Sequence, residues 1–118
     1  MKAILVVAHG SRAKETESTL EAILSMVRVK LPDIDIEYAF MEFSDRTVEK
    51  GIRALAEKGA REIKVVPYFL FMGIHIQEDI PEIVAESAAN FPHIKITIGE
   101  HLGVDERLAD ILVDIIKD

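Results

Sequence analysis

The chain has 118 residues, 21 acidic against 14 basic, for a formal charge of -7, and no cysteine. That charge argues against a nucleic-acid partner, which needs a basic face to neutralise phosphates. Without cysteine there is neither a disulfide nor a thiolate ligand, so any metal must be held by imidazole, carboxylate or the substrate itself. An apolar share of 49% beside 30% charged residues is that of an ordinary globular domain. No apolar run reaches the ~18 residues a membrane span needs. Met1-Lys2 leads straight into a short strand-like run with no signal-peptide pattern. The expectation is one domain over residues 1–118, cytoplasmic, with no nucleic acid and no membrane as partner.

Residues Ala3 to Ala8 form a continuous apolar run ending at His9-Gly10-Ser11-Arg12, a strand buried on both faces followed by a turn. The helix after it carries Leu20, Ile23, Leu24, Val27 and Leu31 on one stripe, and Pro32 stops it. From Ile34 to Phe40 apolar residues alternate with Asp35, Glu37 and Ala39, as in a strand wet on one side. A loop, Met41 to Arg46, precedes a second helix with Val48, Ile52 and Leu55 inward and Gly59 as its cap. The third strand runs from Ile63 to about Phe69. Pro67 lies within it and cannot donate to a ladder, so pairing is interrupted there or the strand leaves the sheet.

After His75 a third helix carries Ile80, Ile83, Val84 and Ala88, with Pro81 tolerated if it falls in the first turn and with Glu78 and Asp79 favouring the helix start. Ile94, Ile96 and Ile98 alternate with Lys95 and Thr97 in a fourth, half-exposed strand. The last helix has Leu108, Ile111, Leu112, Ile115 and Ile116 on one face.

Strand and helix alternating four times predict an α/β fold: a three-layer α/β/α arrangement around a four-stranded parallel sheet with right-handed crossovers. The first and third strands read as interior and the second and fourth as edges, which gives the order 2-1-3-4. In that order a crevice opens at the carboxyl ends of strands one and three, where His9 and His75 emerge. A helix amino terminus disfavours a cationic imidazole, so His75 is suited to ligate a metal. Glu42 and Asp45 follow the second strand beside them. Either they supply a carboxylate for a proton or an arriving cation, or Asp45 or Ser44 simply caps the second helix. Tyr68 to Met72 is mainly core, with its last members overshooting the strand to floor a flat apolar pocket, and Met72 reads as packing. His93 reads as a loop residue, while His101 also ends at the carboxyl side, where the alternatives are an ordinary loop residue, the commoner fate, and a place on the rim. His9-Gly10-Ser11-Arg12 has neither the glycines nor the lysine of a nucleotide loop. Its likeness to the Arg-His-Gly of histidine phosphatases is weakened by Ala8 in the arginine position.

Three stretches together resemble a known family: Val7-Ala8-His9-Gly10-Ser11-Arg12; Phe40-Met41-Glu42 with Asp45; and Val66 through His75 followed by Asp79-Ile80-Pro81. They are similar to the small single-domain sirohydrochlorin chelatases, the short CbiX form among the ATP-independent chelatases. The resemblance spans essentially the whole chain. It implies a chelatase-like half domain that forms a homodimer, and insertion of Co(II), or Ni(II), into sirohydrochlorin in cobalamin or related tetrapyrrole biosynthesis. It further implies His9 as metal ligand and proton acceptor, His75 as the other metal ligand, and Asp45 with Leu70, Phe71, Met72, Gly73, Ile74 and His75 as substrate contacts.

No permanently bound cofactor is expected; the divalent metal ion is itself a substrate. Arg12 and Arg46 are placed to meet acetate and propionate groups. Ala8 and Ile74 stand where smaller residues are frequent in the family, which narrows the pocket without removing a ligand. The competing readings are a tetrapyrrole or metal carrier on the same fold and a histidine phosphatase-like enzyme.

Overall fold

Successive side chains of a strand point to opposite faces, so a strand apolar at every position needs cover on both. The first strand meets that condition in the structure, a computed structural model that describes residues 2–118. Met1, the first residue of the expected domain, lies outside the described residues. In β1 (Lys2–Ala8), Ala3, Leu5 and Val7 face one core, while Ile4, Val6 and Ala8 face another.

The remaining elements are α1 (Glu15–Lys30), β2 (Asp35–Phe40), α2 (Val48–Glu57), β3 (Glu62–Pro67), α3 (Ile74–Ala88), β4 (Lys95–Ile98) and α4 (Glu106–Lys117). The strands pair in parallel in the order β2-β1-β3-β4, as the sequence predicts. β1 is bracketed by β2, with Val6 beside Tyr38, and by β3, with Val6 beside Val66.

The two faces are covered unequally. On the first, α2 contributes Val48, Ile52 and Leu55 and α3 contributes Ile80 and Val84, closing a core over Leu5, Val7, Ile63 and Val65. Close approach of α2 to β1 depends on Gly51, where a Cβ would lie 2.6 Å from a methyl of Leu5. On the second face only α1 packs, through Leu20 and Leu24 against Val6, Ile36, Tyr38 and Phe40. Val66 and Tyr68 there remain half-buried. The predicted α1 stripe is wider than the buried one: Ile23 and Leu31 are 37% and 45% exposed. α4 covers neither face and has no buried residue.

Three boundaries differ from expectation. β3 ends at Pro67, two residues before Phe69. The proline therefore closes the strand where no further donor is needed, and the Tyr68 N–H makes a last bond to the Val7 carbonyl at 2.7 Å. α3 starts at Ile74, so Pro81 sits well inside the helix and not in its first turn. His75 likewise lies in the first turn and not before it, while Glu78 and Asp79 fall beyond that turn. Finally, α2 is capped by the Thr47 hydroxyl, which accepts from the Lys50 N–H at 3.2 Å, so neither Ser44 nor Asp45 is the cap.

Candidate active site

The carboxyl ends of β1 and β2 are stitched together before either loop begins its work. The Met41 N–H donates to the Ala8 carbonyl at 3.0 Å and the Glu42 N–H to the His9 carbonyl at 3.1 Å. Gly10 makes this approach possible. Its φ is 97°, and a Cβ there would fall 2.0 Å from the Glu42 carbonyl oxygen, so no larger residue fits. The backbone thus sets the two side chains that follow the strands against each other. His9 Nε2 lies 2.5 Å from Glu42 Oε1, with both side chains about half exposed. The His9 ring also meets Phe69 edge-on, with centroids 6.4 Å apart, which gives the imidazole an apolar backing.

The β3–α3 loop borders this pair. Phe69 and Met72 pack on the core, whereas Leu70, Phe71 and Ile74 are exposed, Phe71 by 81% and Ile74 by 74%. Of the run expected to be mainly core, Tyr68, Phe69 and Met72 are half-buried, and it is Leu70 and Phe71, not the last member Met72, that stand exposed. Gln77, which the sequence reading passed over, holds the loop: its amide donates to the Met72 carbonyl at 2.7 Å while its N–H reaches the Gly73 carbonyl at 3.0 Å. The legible signal is limited to the residue type: a glutamine amide in the first helical turn carries donors that can reach back to a carbonyl of the preceding loop. Gly73 itself has no positive φ and no crowding, so it is not sterically required. His101 belongs to a loop tied to the same region, because the Leu102 N–H donates to the Phe69 carbonyl at 3.0 Å.

The other candidates separate. Arg12 is exposed on the β1–α1 loop, its guanidinium 4.8 Å from the Phe43 ring centroid. Arg46 is turned away to the edge of β2, where it lies over the Tyr38 ring at 3.9 Å and pairs with Glu37 at 3.1 Å. Its Nε is buried without a partner. Asp45 borders the same edge groove, with Glu37, Tyr38, Arg46 and Lys50. These two are not gathered around His9, because the loop reverses at Phe43 and carries the following residues outward. His75 is exposed in the first turn of α3. Among the described residues no three His, Asp or Glu side chains are grouped closely enough to hold a metal ion, so His9, Glu42 and His75 do not form a closed three-donor cage within one chain. An apolar cavity of about 440 Å³, lined by His9, Tyr68, Leu20, Ile23 and Phe40 among others, opens beside the imidazole on the thinly covered face.

A family model described as CbiX matches residues 3–118. A sirohydrochlorin ferrochelatase of Priestia megaterium is 39% identical across the whole chain, which spans 44% of that protein. A sirohydrochlorin cobaltochelatase of Sulfurisphaera tokodaii is 35% identical, with 100% of this chain and 93% of the relative covered. Among solved structures, the sirohydrochlorin chelatase SirB from Bacillus subtilis subspecies spizizenii, in complex with cobalt, superposes with a TM-score of 0.90 at 35% identity. The superposition covers 99% of this chain and 50% of that one. The chain thus spans about half the length of the Priestia and SirB proteins and nearly all of the Sulfurisphaera one.

Proposed function

The chain belongs to the CbiX family, and on that premise we propose that it is a cytoplasmic sirohydrochlorin chelatase inserting Co(II), or Ni(II), into the macrocycle. The observation that carries the reading is the His9–Glu42 pair at the switch point of the sheet, beside an exposed apolar ledge. Inserting a divalent ion requires that water be stripped from the metal and that two pyrrole N–H protons leave. A flat apolar ledge, Leu70 to Ile74, suits the face of a macrocycle. The His9 ring takes up one pyrrole proton and water displaced from the ion carries away the other, while the Glu42 carboxylate accepts a hydrogen bond from the imidazolium that results. His75 presents a second imidazole to the ion. Imidazoles without thiolates bind Co(II) or Ni(II) firmly enough to recruit them and weakly enough to release them.

The active unit in this reading is a homodimer. α4 presents Ile111, Leu112, Ile115 and Ile116 to solvent, between 54% and 78% exposed, while Ile23, Val66 and Tyr68 on the α1 face are left partly uncovered. A second copy burying both patches supplies the half that the twofold-longer SirB chain carries covalently. The apposed copy also brings a second set of carboxyl-end loops to the cleft, where the described residues of one chain form no complete metal cage.

The test is to follow the visible absorption of sirohydrochlorin with Co(II), Ni(II) and Fe(II) in turn, with and without protein. Catalysed insertion that His75→Ala abolishes supports the assignment. Stoichiometric binding without repeated turnover would make the protein a carrier instead.

A further inference from the structure

Phe43 is the one described residue other than glycine with a left-handed backbone, at φ 59°. A bulky residue held there costs on the order of 1–2 kcal/mol, and such outliers persist where the surroundings over-determine them. Here the fixed points lie on both sides. The Glu42 N–H is bound to His9, the Phe40 N–H donates to the Arg46 carbonyl at 2.7 Å, and the Ser44 hydroxyl accepts from the Arg46 N–H at 3.0 Å. The reversal puts a 51% exposed ring not into the core but against Arg12.

Of the six arginines, Arg28, Arg46, Arg53 and Arg107 each sit against a carboxylate, and Arg61 has neither an ion pair nor an aromatic contact among the described residues. Arg12, three residues from His9, is in no ion pair among the described residues and is held by an aromatic face instead. Stacking orients a guanidinium through its plane and leaves its N–H fork unspent, whereas a carboxylate partner would occupy that fork. Arg12 and Phe43 also line one cavity of about 200 Å³ with Ser11, Lys14 and Ser44, where Glu17, whose carboxylate accepts from the Tyr38 hydroxyl, is the one acidic residue.

We infer that Phe43 is a positioning residue for Arg12, and that the pair forms a carboxylate-recognising wall on the β2 side of the cleft. That wall grips an acidic substituent on the rim of the macrocycle and so fixes its rotation relative to His9 and Glu42. The inference rests on the chelatase reading for the identity of the ligand. It goes further in assigning Phe43 a role and in making rim carboxylates at this edge a determinant of substrate choice.

The test is a double-mutant cycle with Arg12→Gln and Phe43→Gly, read as KM and kcat for sirohydrochlorin with Co(II) and, separately, as Kd from an absorbance titration without metal. Glycine removes the ring and relieves the backbone, so loss of folding does not confuse the result. Arg12→Gln is expected to raise KM and Kd about tenfold or more, the effect of one charge-assisted contact. Phe43→Gly should give a smaller rise, the double variant should be no worse than Arg12→Gln alone, and Phe43→Tyr should restore binding.

Additive effects, or an unchanged Kd in Phe43→Gly, would overturn the pairing while leaving the chelatase assignment standing. Absence of turnover in the unaltered protein, with Kd still loosened by both substitutions, would overturn the chelatase assignment and leave the wall standing.

Discussion

His9 and Glu42, 33 residues apart in sequence, face each other at 2.5 Å because the backbone hydrogen bond between their own peptide groups joins the ends of β1 and β2. The side-chain contact is thus a consequence of strand register. The carboxylate fixes which ring nitrogen of His9 is engaged and leaves Nδ1 free of it. This is the kind of orienting partner whose loss costs a histidine site about 10- to 100-fold in affinity or activity. Glu42→Gln, which keeps the shape and removes the charge, is expected to lower metal insertion by that factor with little change in thermal midpoint. A steady-state assay at full sirohydrochlorin saturation measures it, and wild-type turnover in the variant would remove Glu42 from the mechanism.

Gly10 is the hinge that permits the contact. Alanine there meets a left-handed φ and the Glu42 carbonyl at once, so the loop must move or the strands must part. We expect Gly10→Ala to cost about 2–4 kcal/mol, from the backbone term and the overpacking together. Gly73→Ala, where a Cβ meets nothing within 4 Å, should cost less, about 1 kcal/mol or under, because the only penalty is alanine's poorer fit at the N-cap of α3. Urea denaturation of the two variants side by side distinguishes a steric requirement from a general sensitivity of loop glycines.

Tyr38 offers a pH-dependent check on the α1–β2 packing. Its ring is buried, and its hydroxyl lies 2.7 Å from carboxylate oxygens of both Glu17 and Glu21. Burial first, and then the two acceptors, push its ionisation well above the ordinary phenol range. Because the folded state holds the proton more tightly than the unfolded state, this contribution is complete below about pH 10 and is lost as pH rises above it. Tyr38→Phe should lower stability at neutral pH by about 1–2 kcal/mol. It should also flatten the decline between pH 10 and 11.5. Parallel wild-type and variant slopes in that window would refute the coupling.

The association reading places its weight on α4, whose apolar residues have no cover within one chain. Ile111→Glu with Ile115→Glu is expected to convert a dimer to a monomer in sedimentation, with a loss of chelation to match. At the start of the same helix, Asp105 caps through its carboxylate and is held below the usual carboxylate range by Arg107. That support is present above the unfolded carboxylate value and fades as pH falls below about 4. A wild-type protein that sediments as a monomer at micromolar concentration would end the dimer reading.

The sequence by itself determined the sheet. β1 is apolar without interruption from Ala3 to Ala8 and β2 and β4 alternate, and that contrast between strands covered on two faces and strands at an edge yields the order β2-β1-β3-β4. It also determined that His9 follows a strand and that Leu70 to Ile74 overshoots one, since both are local facts about where an apolar run stops. Only the tertiary structure decided which polar side chains meet. Glu42 and Asp45 are three residues apart and look interchangeable as candidates, yet one reaches His9 and the other the edge groove. The single left-handed residue between them turns the chain.

Arg12 and Arg46 divide in the same way, one stacked on Phe43 and the other paired with Glu37. Periodicity records how a residue relates to its own element. It carries no information on the loop torsions and register that bring side chains of different elements within hydrogen-bonding distance. Nor does an amphipathic pattern say what covers it: α4 was legible as a helix with one apolar face, and its standing clear of the sheet is a property of the folded chain alone.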